Sequence, residues 1–267
     1  KFYERFPDDF DFILLMPGSY VGGGLRGSRL AGYNDIEGIG SNLYDNTAFW
    51  GSDGNLQSVF TLNLTHAGPV IHEISHHWGI FLGGELGLQQ CAPAHVGLIG
   101  AGCGPLGGFD GDSLVDNGDG TYTISSTCFA LGGAAADTTA MNPLNLYLTG
   151  LIPPEEVPDI PVPVNAQCNS ISFNYSTQTA TFAADGITMV SIGDIIAEAG
   201  PRVPNHLASQ REFSLAWVVP MNRVPTSTEA GWFQHRAQYI GRDEPGDVPF
   251  RLTFKDATGG RATLNTI

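Results

Sequence analysis

Positive charge is scarce in this sequence. Twelve lysines and arginines face 27 aspartates and glutamates, so the formal net charge is −15 at pH 7, and Lys1 and Lys255 are its two lysines. Proteins that bind nucleic acid or an anionic membrane surface cluster basic residues against phosphate groups. Because the sequence has no such cluster, we expect neither nucleic acid nor a membrane among its partners.

Long apolar runs are also missing. No run approaches the roughly 20 residues that a transmembrane helix needs. Hydrophobic residues nevertheless make up 42% of the 267 residues and charged residues 15%. This composition is typical of a chain that folds around a core, and it excludes an intrinsically disordered one.

The sequence lacks a Cys-x-x-Cys pair, which argues against a cysteine-bound zinc ion. Its four cysteines are Cys91, Cys103, Cys128 and Cys168. An even cysteine count with few lysines favours a disulfide-bonded, secreted protein. Of the three pairings that four cysteines allow, we favour Cys91–Cys103 with Cys128–Cys168.

The apolar pattern predicts an α+β fold. Strands are expected at residues 10–16 and 56–64, and a helix from residue 70 to about residue 82 is followed by two glycines. A further helix begins at Asn142, a favourable N-cap, with Pro143 at the first helical position. We expect a mixed β-sheet that packs on the helix at 70–82.

The segment from His72 to His76 reads His-Glu-Ile-Ser-His and matches the pattern H-E-x-x-H. On a helix, residues four apart share one face, so both imidazoles can bind one metal ion. Zinc in such a site acidifies a bound water molecule, and Glu73 would take its proton and pass it to the leaving amine. The motif therefore predicts zinc-dependent peptide hydrolysis.

A catalytic zinc ion needs a third protein ligand. We favour His95, because the 18 residues that separate it from His76 allow the helix to end and the chain to return. Glu85 could serve only if the helix unwinds at the two glycines. The remaining candidates are His66, Asp110, Asp112 and His77, the last of which points about 100° away around the helix.

The His72–His76 segment resembles the active-site helix of the zincin metallopeptidases. Its 18-residue gap is similar to that of the aminopeptidase N-like gluzincins, whose third ligand is a glutamate where this chain has His95. The metzincin pattern fails, because Leu82 stands at its ligand position. Segments 3–12, 116–121 and 143–158 are similar to secreted bacterial metallopeptidases. The resemblance implies an extracellular zinc endopeptidase acting on proteins or peptides.

Two further features concern the reaction and a second ion. Tyr147 is our first choice as the donor to the oxyanion of the tetrahedral intermediate. Its alternatives are His206, His235 and Tyr122. The acidic cluster of Asp110, Asp112, Asp116 and Asp119 is consistent with either a Ca²⁺ site or a solvated hairpin turn.

The proline-rich segment 153–164 is the predicted connection between two regions. Residues 1–152 would form the zincin-like catalytic region, and residues 165–267 a C-terminal α/β sub-region that closes the cleft. Two other functions stay open: an inactive zincin-like module that binds protein or glycan, and a zinc hydrolase acting on a non-peptide substrate.

Overall fold

The computed structural model describes residues 2–18, 27–63, 69–133, 137–244 and 251–267, and it has a mixed α/β fold. Its strands, numbered in chain order, are β1 (Phe12–Leu15), β2 (Gly27–Ala31), β3 (Tyr33–Asn34), β4 (Tyr44–Asp45), β5 (Ser58–Leu62), β6 (Val115–Asp116), β7 (Thr121–Ser125), β8 (Ile160–Val164), β9 (Gln167–Asn174), β10 (Thr179–Ala183), β11 (Gly186–Val190), β12 (Glu212–Val218) and β13 (Thr263–Thr266). Its helices are α1 (Thr47–Trp50), α2 (Val70–Ser75), α3 (Pro143–Thr149), α4 (Ile192–Ala199), α5 (Ser227–Ile240) and α6 (Phe254–Ala257).

The largest sheet has the strand order β13-β12-β1-β5-β2. Four of its strands are parallel, whereas β2 runs antiparallel to β5 at one edge. Phe12 in β1 and Phe60 in β5 are fully buried. Two strands that the apolar pattern predicts, in 10–16 and in 56–64, are therefore confirmed, and so is the mixed orientation of the sheet.

Helix α2 packs against this sheet. All six of its residues are buried, and Ile71 and Ile74 share one hydrophobic core with Phe12 and Phe60. Burying the larger part of one apolar side chain contributes about 1.5–3 kcal/mol, which fixes the helix on the sheet. The predicted packing of a mixed sheet on the helix with the H-E-x-x-H motif is confirmed.

The C-terminal bound predicted for this helix is wrong, because α2 ends at Ser75. The N–H groups of His77 and Trp78 donate to carbonyl oxygens three residues earlier, so the last turn tightens before the chain leaves the helix at Gly79. Ile80 and Leu82 stay buried beyond that point in irregular backbone. Their burial explains why the helical apolar pattern continues past the end of the helix.

Helix α3 begins as predicted. The Asn142 side chain accepts a hydrogen bond from the N–H of Asn145, and Pro143 opens the helix. It ends at Thr149 and is followed by Gly150, whose φ of 81° suits the C-cap. In the described residues, no helix is long and apolar enough to cross a membrane.

A second sheet has the strand order β6-β7-β10-β9 and forms its own core around Phe109 and Phe182. Strands β8 and β11 pair separately. The proline-rich segment 153–164 contains β8, and the two larger sheets each combine strands from before and after that segment. The segment thus contributes a strand of its own, and neither of the two larger sheets lies wholly before it or wholly after it in the sequence.

Candidate metal centre

Helix α2 carries three of the predicted site residues. His72 and His76 lie one helical turn apart, and their Nε2 atoms are 3.1 Å from each other. His76 occupies the C-cap, so its side chain stands where the chain turns away from the helix. The two imidazoles therefore converge near the C-terminal end of a buried helix, where His76 is half-buried.

His95 comes from a loop that returns to the helix. Its Nε2 lies 3.3 Å from Nε2 of His72. The backbone around it is held by hydrogen bonds from Val96 to Leu106 and from Leu98 to Gln90, and the side chains of Val96 and Leu98 are fully buried. These contacts, rather than any helix or strand, place the third histidine.

The three histidines form a compact triangle. Their ring centroids are 4.8–5.1 Å apart, and one nitrogen of each ring lies within 4.8 Å of the others. Two ligands of a tetrahedral zinc ion with Zn–N bonds of 2.0–2.1 Å are about 3.3–3.4 Å apart. The spacing of the Nε2 atoms thus suits a metal ion, and His72, His76 and His95 are positioned to bind one.

Backbone carbonyls fix the tautomer of each ring. The Nδ1 atoms of His72, His76 and His95 lie 2.7, 3.3 and 2.9 Å from the carbonyl oxygens of Pro105, Gly79 and Pro93. A carbonyl oxygen only accepts, so each Nδ1 carries the proton and each Nε2 presents a lone pair. Outer partners of this kind orient metal-binding histidines.

Burial keeps His76 neutral. Burial, with His72 and His95 close by, lowers the pKa of His76 to about 3. A metal ion binds the neutral imidazole, so at pH 7 no proton has to leave this ligand before the metal binds.

Glu73 lies beside the histidines with 3% of its surface exposed. Its carboxylate faces Gly27 of β2, where an added Cβ would come within 2.2 Å of Oε1. Only a residue without a side chain leaves room for the carboxylate at that point. Burial raises the pKa of Glu73 to about 8.

The histidines and Glu73 open into one cleft of about 290 Å³. The histidine cleft is lined by Gly27, Ser28, Arg29, His72, Glu73, His76, Phe81, Ala94 and His95. A somewhat larger cavity of about 340 Å³ is lined by residues that include His77, Trp78 and Arg202. None of the three converging histidines borders that cavity, so the histidine cleft is the candidate functional site.

Asp137, which the sequence analysis overlooks, holds the N-terminus of α2. Its Oδ1 accepts the N–H of Ile71 at 2.8 Å, while Pro69 at the N-cap has no side-chain donor or acceptor. Its Oδ2 lies 3.7 Å from the buried guanidinium of Arg236 in α5. Burial raises the pKa of Asp137 to about 6. No local motif marks a cap that comes from so far along the chain.

The disulfides correct the predicted pairing. Cys91 pairs with Cys168 and Cys103 with Cys128, instead of Cys91 with Cys103. The Cα atoms of the two bonded pairs are 5.3 and 5.8 Å apart. Cys168 lies in β9 of the second sheet, and Cys128 follows β7 of the same sheet. The two bridges therefore tie the loop that carries His95 to two parts of that sheet. Cysteine spacing alone cannot show this, because tertiary packing decides which cysteines meet.

The other candidate ligands lie elsewhere. Glu85, Asp110 and Asp112 are exposed and do not join the histidines. His77 is buried apart from the three histidines, and its Nδ1 lies 3.1 Å from Oγ of Ser58. His66 lies outside the described residues.

The predicted oxyanion donor is not in the histidine cleft. Tyr147 is 3% exposed, packs in the main core and is close to Arg202. Burial raises its pKa. Its alternatives Tyr122, His206 and His235 do not line the cleft either. Helix α3 contributes in another way, since Nδ2 of Asn142 donates to the carbonyl of Gly102 and so supports the loop of His95.

Three of the four aspartates in the acidic cluster serve local turns. Asp110 caps a short 3-10 helix, Asp116 accepts the N–H of Gly118, and Asp119 accepts the N–H of Thr121. Among the residues that the structure describes, the three histidines are the one group with metal-binding geometry. These contacts therefore favour a solvated hairpin turn over a Ca²⁺ site for the acidic cluster.

Comparison of the chain with protein-family models, with curated proteins and with solved structures finds no match.

Proposed function

We propose that this protein is a zinc-dependent extracellular endopeptidase with a zincin-like catalytic region. The observation that carries the proposal is the convergence of three histidine Nε2 atoms beside the buried carboxyl group of Glu73. Three neutral imidazoles with a position left open to the cleft suit a catalytic zinc site. The two disulfides support an extracellular location, since such bonds persist in oxidising compartments.

A peptide substrate is favoured by the strand beside the site. Gly27, Ser28 and Arg29 of β2 line the histidine cleft, and β2 is the edge strand of the largest sheet in the described part of the chain. An edge strand can pair with an extended peptide through its backbone N–H and C=O groups. A peptide bound in this way would pass across the histidines.

The histidines and Glu73 have different roles in the proposed reaction. His72, His76 and His95 would hold the zinc ion, which when bound polarises the scissile carbonyl and makes a water molecule more acidic. Glu73 accepts a proton from the attacking water and later donates it to the leaving nitrogen. The burial of Glu73 suits this exchange, because it brings the pKa of the carboxyl group toward neutral pH.

The test is hydrolysis of casein by Glu73→Gln. The variant should keep its zinc, measured by elemental analysis, and lose about 10²–10⁴-fold in rate, the usual contribution of a general base. Glu85→Gln is the matched control, since Glu85 is exposed and outside the cleft. Hydrolysis at the wild-type rate by Glu73→Gln would remove Glu73 from the mechanism. A zinc-loaded wild-type protein that cleaves nothing would instead indicate a module that binds protein or glycan.

A further inference from the structure

Arg29 brings a positive charge to the histidine cleft. It lies in β2 two residues after Gly27, on the same face of the strand, and it lines the cleft with the histidines. Within the described residues, no carboxylate lies within 4.0 Å of its guanidinium. In a chain with more than twice as many acidic as basic residues, an arginine without an acidic partner is unexpected.

The guanidinium is held in place by neutral groups. Its Nε donates to Oγ of Ser58 at 2.9 Å, and Nη2 donates to the hydroxyl of Tyr44. The rings of Tyr44 and Phe81 each lie 5.8 Å from the guanidinium carbon, a distance at which aromatic rings attract a cation. These contacts orient the group without neutralising its charge.

Hydrogen-bonding capacity remains after these contacts. A guanidinium has five N–H groups, and the two bonds to Ser58 and Tyr44 leave both N–H groups of Nη1 without a partner in the described residues. A preoriented fork of this kind matches the two oxygens of a carboxylate.

Arg29 lies away from Glu73, the residue beside which the peptide bond would be cleaved. Ser58, which receives its Nε–H, pairs across the sheet with Ala31, whereas Glu73 lies against Gly27 at the other end of the strand. The guanidinium therefore points away from Glu73 along β2. A substrate group bound by Arg29 would therefore flank the scissile bond.

We propose that Arg29 binds a carboxylate of the substrate, so that the enzyme prefers peptides with an acidic group at one position beside the scissile bond. The inference rests on the proposed peptidase function. An acidic side chain and a peptide C-terminus present the same pair of oxygens, and either can supply the carboxylate.

The first experiment measures kcat/KM for matched peptides. Blocked alanine-based hexapeptides carry glutamate at each position in turn, with glutamine at the same position as the neutral partner, and a further set has a free C-terminus and neutral side chains. We expect the wild type to prefer one acidic peptide by about 10- to 100-fold, as for a hydrogen bond to a charged group. The preference should vanish in Arg29→Met and fall in Arg29→Lys, which keeps the charge and loses the fork.

Arg211→Met is the matched control, since Arg211 is exposed and bonds to the carbonyls of His206 and Arg261. It should keep the full preference. A loss of folding in Arg29→Met would slow both peptides of a pair alike and leave their ratio unchanged. A wild type without preference for any carboxylate, or a preference that survives Arg29→Met, overturns the proposal. The set of peptides that shows the preference identifies the source of the carboxylate.

A binding measurement separates this proposal from the proposed function. Zinc-loaded Glu73→Gln and Glu73→Gln/Arg29→Met are titrated with the same peptides by calorimetry. Weaker binding of one acidic peptide, by about 10-fold or more, in the second protein supports the role of Arg29 even if the wild type cleaves none of them. Equal binding by both proteins contradicts the role of Arg29, whether or not peptides are cleaved.

Discussion

The Nε2 atoms of His72 and His95 lie 3.3 Å apart, although the two residues are 23 positions apart in the sequence. Both rings donate Nδ1–H to backbone carbonyls, so neither Nε2 can donate a hydrogen bond to the other. Two facing lone pairs repel unless a cation lies between them. The relation between these residues is therefore the strongest structural sign of a metal centre.

Gly133 should control the orientation of His72. Its φ is 77°, and an added Cβ would lie 2.2 Å from the carbonyl oxygen of Pro105 and 2.7 Å from Nδ1 of His72. Gly133→Ala should therefore break the bond between those two groups and weaken zinc binding by about 10- to 100-fold, as losses of outer partners typically do. Chelator competition measures the change.

Gly132→Ala provides the control for this change, because no atom lies within 4 Å of the added Cβ. It should bind zinc as the wild type does. Equal zinc affinity in both variants would show that the carbonyl of Pro105 does not orient the ligand.

Asp137 should stabilise the fold through α2 and α5 together. Asp137→Ala leaves the N–H of Ile71 without its acceptor and Arg236 buried without its partner, and it should cost about 3 kcal/mol or more. Asp243→Ala, which removes an exposed ion pair with Lys255, should cost about 0–1 kcal/mol. Urea unfolding of the two variants gives the comparison, and similar losses would contradict the role of the buried pair.

The disulfides should hold the loop of His95. Peptide mapping without reduction should recover Cys91 with Cys168 and Cys103 with Cys128. Replacing Cys91 and Cys168 by serine should reduce the free energy of unfolding by about 2–5 kcal/mol and weaken zinc binding, since the loop loses an anchor near its ligand. Recovery of a peptide that joins Cys91 to Cys103 would contradict the structure.

The sequence predicts the parts of this site that depend on local chemistry. The H-E-x-x-H spacing identifies His72, Glu73 and His76, and the distance from the helix favours His95. The N-cap of α3 at Asn142 is likewise predictable from neighbouring residues, and the structure confirms it. Such features are predictable because short-range geometry on a helix determines which side chains meet.

The remaining features depend on contacts across the fold. Helix α2 stops at Ser75 because its tightened last turn leads into Gly79, although apolar residues continue beyond it. Asp137 and Arg29 reach their places through tertiary packing, and Tyr147 is drawn into the core by the same packing that buries α3. Periodicity and spacing carry no information on these contacts.

Zinc affinity in His95→Ala is the most informative measurement, because it shows whether His95 is the third metal ligand. The matched control is Glu85→Ala, which removes the exposed carboxylate that is the alternative third ligand. By chelator competition, His95→Ala should lose more than the 10- to 100-fold that loss of an outer partner costs, while Glu85→Ala binds like the wild type. Wild-type affinity in His95→Ala with a loss in Glu85→Ala would contradict the three-histidine centre.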